Sequence, residues 1–170
     1  MPPAEAGHRS HGSSRAAPRV LLAVAGVLLL ARVATGIHEH AYPAAPVDRV
    51  KWVALETAEA RARAQNKLVL YDFTAAWCAP CRALEHEVFS DPGAAEFISS
   101  QLVPAQVTDR RREDGLNPAA VDSLQRRFGV TAFPTLVMFS PETGRSQAVA
   151  GFRGKRETLR FLQGALRKLR

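Results

Sequence analysis

Lys67-Leu68-Val69-Leu70-Tyr71-Asp72-Phe73-Thr74-Ala75-Ala76-Trp77-Cys78-Ala79-Pro80-Cys81 is the stretch from which the fold follows. Its first seven residues are continuous, β-branched and aromatic, the mark of a central strand buried on both faces. A short turn leads to Cys78, and Cys78–Phe89 reads as a helix with Ala83, Leu84 and Val88 turned inward. Where a buried strand meets a helix N-terminus, unpaired N–H groups and the helix dipole favour the thiolate of a cysteine placed there. Two intervening residues rotate Cys81 by about 300°, which leaves its sulfur within bonding reach of Cys78. Cys78 is then expected as the exposed nucleophile and Cys81 as the resolving thiol. Pro80 is tolerated because the N–H it lacks has no partner in a first helical turn. Trp77 is expected to cover one side of the sulfur.

Outward from this stretch the pattern is α/β. Upstream, Trp52–Leu55 is expected as a short strand, and Thr57 as the N-cap of a helix over Ala58–Gln65. Downstream, a helical piece over Ala94–Ser100 precedes a strand at Leu102–Val107, and Thr108–Pro118 reads as a polar loop carrying Arg110, Arg111 and Arg112. A helix over Ala119–Phe128 ends at Gly129, a natural left-handed position. Two strands, Thr135–Ser140 and Gln147–Ala150, flank a tight turn, and a last helix runs over Lys155–Leu169. Strands separated by helices imply parallel crossovers, and the hairpin adds antiparallel strands at the other edge. The expected architecture is a mixed sheet with helices on both faces.

The chain has 170 residues and a net charge of +7. At this length one core is expected. The charge resembles a nucleic-acid signal until it is divided along the sequence. Arg9, Arg15, Arg19 and Arg32, with Glu5 the one acid, lie in the first 36 positions, and the remaining 134 carry 19 basic and 15 acidic residues. Neither clustering nor interleaved aromatics accompany them, so no nucleic-acid partner is expected. Two cysteines are too few for a disulfide-stapled scaffold or a closed four-thiolate zinc site. No metal or other cofactor is called for.

Residues 1–19 read as a polar cytoplasmic leader, and Val20–Ile37 as a signal anchor or a signal peptide. Val20–Ala31 carries no charge, but twelve helical residues rise only about 18 Å against a hydrocarbon core of roughly 30 Å. Counting through to Ile37 gives enough length if Arg32 snorkels to the interface. Cleavage after Gly36, with Ala34 at −3, is the competing reading. Either way the arginines before the run keep the N-terminus inside and export the rest. Residues 38–46 read as a linker whose His38 and His40 are solvated, and residues 47–170 as the exported domain.

The segment Tyr71–Cys81 resembles the active-site strand and helix start of thioredoxin, and Gly129-Val130-Thr131-Ala132-Phe133-Pro134-Thr135 resembles its cis-proline segment. Cys81-Arg82-Ala83-Leu84-Glu85 with Val88-Phe89-Ser90-Asp91-Pro92 is similar to the C-terminal periplasmic thioredoxin-like domain of the DsbD-type thiol:disulfide interchange proteins. The resemblance implies a thioredoxin fold over residues 47–170, with Cys78 and Cys81 as the redox pair. It implies that Pro134 is the cis-proline facing them. Substrate would then lie in extended form against Trp77, Ala79, Pro80, Phe133 and Pro134. It also implies that Asp72 is a buried carboxylate with a raised pKa that takes a proton from Cys81. Glu85, four residues after Cys81 and on the same helix face, is read as a second proton relay. The implied protein is a monomeric protein-disulfide reductase tethered to the outer face of a bacterial inner membrane. Protein thiols and disulfides are its substrates, and a separate membrane partner supplies its electrons. The alternatives are a disulfide oxidant or isomerase, against which the absence of a histidine between the cysteines argues, and a redox-silent binding module on the same scaffold.

Overall fold

The computed structural model describes residues 21–32 and 47–170. The chain divides into two units, Met1–Ala45 and Pro46–Arg170. In the first, residues 21–32 are helical and exposed throughout. No described helix is long and apolar enough to cross a membrane. The leader, the linker with His38 and His40, and residues 33–37 lie outside the described residues.

The second unit is built on four strands, β1 (Leu68–Ala75), β2 (Leu102–Asp109), β3 (Thr135–Phe139) and β4 (Ser146–Ala150). They lie in the order β2-β1-β3-β4, with β1 parallel to β2 and antiparallel to β3, and β3 antiparallel to β4. The sheet is therefore mixed, and β1 is central. Alternation along β1 divides the core. Val69, Tyr71 and Phe73 face Ala58 and Ala62 of α1 (Ala58–Gln65) and Val121 of α5 (Ala119–Phe128). Leu68 and Leu70 face the opposite layer, with Leu84, Val88, Ile98 and Leu162. That layer comprises α2 (Ala79–Leu84), the π-helical turn Glu85–Phe89, α3 (Pro92–Gln101) and α6 (Lys155–Leu169). Since strand side chains alternate, Asp72 falls on the face of Leu68 and Leu70, beneath the helix that starts at the cysteines.

Four local expectations are corrected. Trp52–Leu55 is not a strand. Val53 donates its N–H to the Pro104 carbonyl of β2 (2.9 Å), but Pro104 has no N–H to return, so the ladder cannot propagate along this edge. Thr57 does not cap α1 through its side chain. The single 3₁₀ turn Leu55–Thr57 runs directly into the helix, and the Thr57 hydroxyl donates back to the Ala54 carbonyl (3.0 Å). The helix expected over Cys78–Phe89 changes pitch at Glu85, where the Ser90 N–H and hydroxyl both reach the Glu85 carbonyl, at 2.9 and 3.1 Å. Asp91 then starts α3 by accepting from the Ala94 N–H (2.9 Å).

The segment expected as a polar loop is the fourth. It contains the short helix α4 (Arg111–Asp114) and is held from below by buried groups. The Asp109 carboxylate, at the end of β2, accepts from Asn117 (2.7 Å), from Gln125 (2.9 Å) and from the Arg111 N–H (3.1 Å). Asn117 Oδ1 accepts from the Arg110 N–H (2.6 Å), and its amide also donates to Asp122 (3.0 Å). Burial opposes ionisation of Asp109, yet the donors from Asn117, Gln125 and Arg111 together hold its carboxyl below the usual range. Replacing Asn117 by Ala removes donors from Asp109 and strands the Arg110 N–H. The Asn117→Ala protein is expected to lose about 1–3 kcal/mol in urea unfolding at neutral pH.

Candidate active site

Cys78 and Cys81 are joined in a disulfide, with their Cα atoms 5.3 Å apart. Cys78 is the N-cap of α2 and keeps an extended backbone, while Pro80 occupies the first turn, where no N–H is required. The chain is turned into this position by the Cys78 N–H, which donates to the Ala75 carbonyl (3.0 Å). The Cys81 N–H points at the Cys78 sulfur (3.2 Å), so the helix N-terminus bears on the first sulfur. One expectation is corrected: in the disulfide Cys78 is not exposed. It is 2% accessible and Cys81 6%, because Ala75 and Phe133 pack against the pair.

The rim is aromatic. Trp77 is 44% exposed, and its indole meets the Phe133 ring edge-on at 5.9 Å. Ala79 and Pro80 are exposed beside it. Across the disulfide stands the Phe133–Pro134 peptide bond, which is cis. Pro134 is buried, and its carbonyl accepts from the Gly151 N–H (2.7 Å), which fixes this turn to the end of β4. Thr135 secures the other side by donating its hydroxyl to the Ala132 carbonyl (2.7 Å).

Beneath the helix layer that starts at the cysteines lies a group of carboxylates. Asp72 is 2% accessible and sits opposite Gln106 of β2 in the strand register. Gln106 donates to Asp72 Oδ2 (3.3 Å), whereas Oδ1 has no hydrogen-bond partner. Burial pushes the Asp72 carboxyl up to about 7; the Gln106 bond pulls the other way, and the charges of Asp48 and Glu85 raise it further. Glu85, half-buried on the turn after α2, is itself raised, first by burial and then by Asp48. The structure thus brings Asp72 and Glu85 into electrostatic contact and adds Asp48, which the sequence reading did not single out. Asp48 is held in place by the Val50 N–H (2.9 Å) and the Trp52 indole N–H, and Trp52 packs edge-on against Phe89 at 5.0 Å. Gln106 was missed as well, although a glutamine inside the apolar run of β2 is a readable signal. Arg82 does not pair with Glu85; its guanidinium donates to the Ala76 carbonyl (3.2 Å).

A disulfide at a helix start, a cis-proline turn across from it and a buried carboxylate on the strand face under that helix layer make up the site. The thioredoxin-like domain model matches residues 55–165, which covers the disulfide and the cis-proline turn together. The chain belongs to the thioredoxin-like domain family. Among relatives of this thioredoxin-like chain, thioredoxin H4 of Arabidopsis thaliana is 36% identical over 77 residues, covering 45% of this chain and 55% of its own. The thiol:disulfide interchange protein DsbD of Salmonella typhi is 30% identical over 107 residues, covering 62% of this chain and 18% of its own. The chain therefore spans about half of the plant thioredoxin and under a fifth of DsbD. Among solved structures, a DsbH oxidoreductase superposes with a TM-score of 0.61 at 21% identity, over 75% of this chain and 90% of that one, a likeness of fold.

The Asp72 carboxyl gives a pH signature whose sign is fixed. Its folded pKa of about 7 lies above the ordinary value of 3.8, so the native state binds the proton more tightly than the unfolded chain. That contribution is complete below about pH 4 and is lost as pH rises to about 7. With the disulfide intact, Asp72→Asn is expected to unfold at higher urea than wild type above pH 7, by an order of a few kcal/mol. The gain should fade toward pH 4. A constant difference between the two proteins from pH 4 to 8 would contradict the assignment.

Proposed function

We propose that this protein is a thiol:disulfide oxidoreductase acting as a reductant of protein disulfides through a Cys78/Cys81 cycle. The observation that carries the reading is the buried Asp72 carboxylate, half-satisfied and sharing its field with Glu85 and Asp48, on the strand face covered by the helix layer that starts at the cysteines. A strong oxidant is one whose reduced form is stabilised as thiolate. Negative charge below the pair works against that stabilisation and so favours the disulfide as the end state.

The cycle balances on these groups. The Cys78 thiolate attacks one sulfur of a substrate disulfide, a mixed disulfide forms, and the other substrate sulfur leaves as a thiolate. The Cys81 thiol then loses its proton to Asp72, and its sulfur attacks Cys78. The second substrate sulfur is released, and Cys78 and Cys81 are left oxidised. Two electrons have passed to the substrate. Glu85 serves as the second acid–base group, exchanging the Asp72 proton with solvent from its half-buried position. Trp77, Ala79, Pro80, Phe133 and the Pro134 turn form the platform on which an extended substrate segment lies. The oxidised pair returns to the dithiol by exchange with a separate membrane electron donor.

The place of action is read from the N-terminal segment. Residues 1–19 act as a cytoplasmic leader, and the apolar run of residues 20–37, described as helix over 21–32, is the anchor or the cleaved signal. Residues 38–46 act as the linker, and residues 47–170 work in the periplasm as a monomer. The arginines before the run and the likeness to part of DsbD support this placement.

Three variants test the chemistry. Cys81→Ser should accumulate a mixed disulfide with substrate on Cys78, visible by mass spectrometry, and Cys78→Ser should lose exchange altogether. Glu85→Gln should fold as wild type and slow the resolving step between pH 6 and 8. No trapped species in Cys81→Ser, or wild-type resolution in Glu85→Gln, would remove the corresponding role.

A further inference from the structure

Of the three consecutive arginines that cap β2, two are spoken for. Arg110 Nε donates to Asp114 (2.6 Å), and Arg111 Nη2 donates to Asp122 (2.7 Å). Glu113 directs its field at Arg110. Arg112 has no carboxylate partner among the described residues. Its guanidinium carbon instead lies 4.2 Å from the centre of the Trp77 ring, beside Cys78.

Three facts make this a built feature. The backbone on the N-terminal side of Arg112 is pinned, with the Arg110 N–H on Asn117 and the Arg111 N–H on Asp109. Those two acceptors are themselves buried and bonded to each other at 2.7 Å. A guanidinium over an indole gives its π-face to the ring and keeps its in-plane N–H fork for a carboxylate. Little is then left to order when such a partner arrives. Arg82, exposed and bonded to the Ala76 carbonyl, puts a second cation on the helix side of the same rim.

We propose that Arg112, seated on Trp77, is a specificity-determining residue that selects protein substrates with an acidic residue next to the cysteine that pairs with Cys78. The inference rests on the oxidoreductase reading above. It adds the chemical class of the substrate: a disulfide flanked by Asp or Glu in an extended segment.

The test uses the reduced full-length protein and three otherwise identical disulfide-bridged peptides with Glu, Gln or Lys beside the target cysteine. The expected order of kcat/KM is Glu, Gln, Lys, with adjacent steps of about two- to five-fold, the range of an exposed ion pair. The spread should shrink in 0.5 M salt. In Arg112→Gln the Glu-to-Lys ratio should fall to near one, and in Arg112→Lys only part of it should survive, because an ammonium keeps the charge without the planar fork. Equal rates for the three peptides with wild type overturn the inference, as does a ratio that persists in Arg112→Gln while all three rates fall together. That second result would place Arg112's effect on the Cys78 thiol. Absence of exchange with every peptide defeats the oxidoreductase reading and this inference with it.

Discussion

A carboxylate with one unpartnered oxygen, on the inward face of the central strand, is the constraint around which this domain is arranged. Burying a polar group without a hydrogen bond costs free energy, and burying a charge costs more unless the group stays neutral. Asp72 meets both conditions in part: one oxygen is bonded to Gln106 and the other to nothing. Its neighbours in the strand, Leu70 and Leu68, show what a core optimised for stability would place at that position. The polar site is therefore a local conflict inside a consistent fold, the kind that is tolerated where chemistry requires it.

Everything near the disulfide serves this arrangement from a different element. The strand-to-helix turn puts Cys78 at the cap and Cys81 one turn on, above the strand. The π-helical turn carries Glu85 toward the same layer, and the Asp48–Trp52 strap closes the end of the layer against Phe89. On the far side, the Phe133–Pro134 turn, tied to Gly151, closes over the sulfurs. The Asp72 carboxylate is thus buried on one face of β1, whereas Trp77 and Arg112 are exposed at the rim of the disulfide.

The parts legible in the sequence are those dictated by local chemistry. A continuous apolar run, a Cys-x-x-Cys at its end, a hairpin turn and a leucine-spaced last helix each carry their own signal. Those signals placed all four strands of the sheet and most helices within a few residues. The cysteine pair was readable for the same reason, whereas Asp72 was singled out through the resemblance of its strand to that of thioredoxin. What escaped depends on long-range contacts. Trp52–Leu55 is apolar enough for a strand and fails because its partner at the edge is a proline, with Pro104 lying 51 positions after Val53. Asp48 sits at the start of the domain with no pattern around it, and its influence comes through folded proximity to Asp72 and Glu85. Arg110–Arg112 reads as a solvated charge run because buried Asn117 and Asp109, which fix it, are indistinguishable from loop residues in one dimension. Exposure of Cys78 was misjudged because a cap position alone does not report the Phe133 side chain that covers it.

The direction of electron flow is the centre of the account, and the reduction potential of the Cys78–Cys81 pair tests it most directly. It is measured by equilibrating the full-length protein in thiol–disulfide buffers of graded potential and following the fraction oxidised. A value near or below about −220 mV, on the thioredoxin side of the scale, is what the proposed reductase predicts. A value near about −120 mV, that of a strong oxidant, would contradict it.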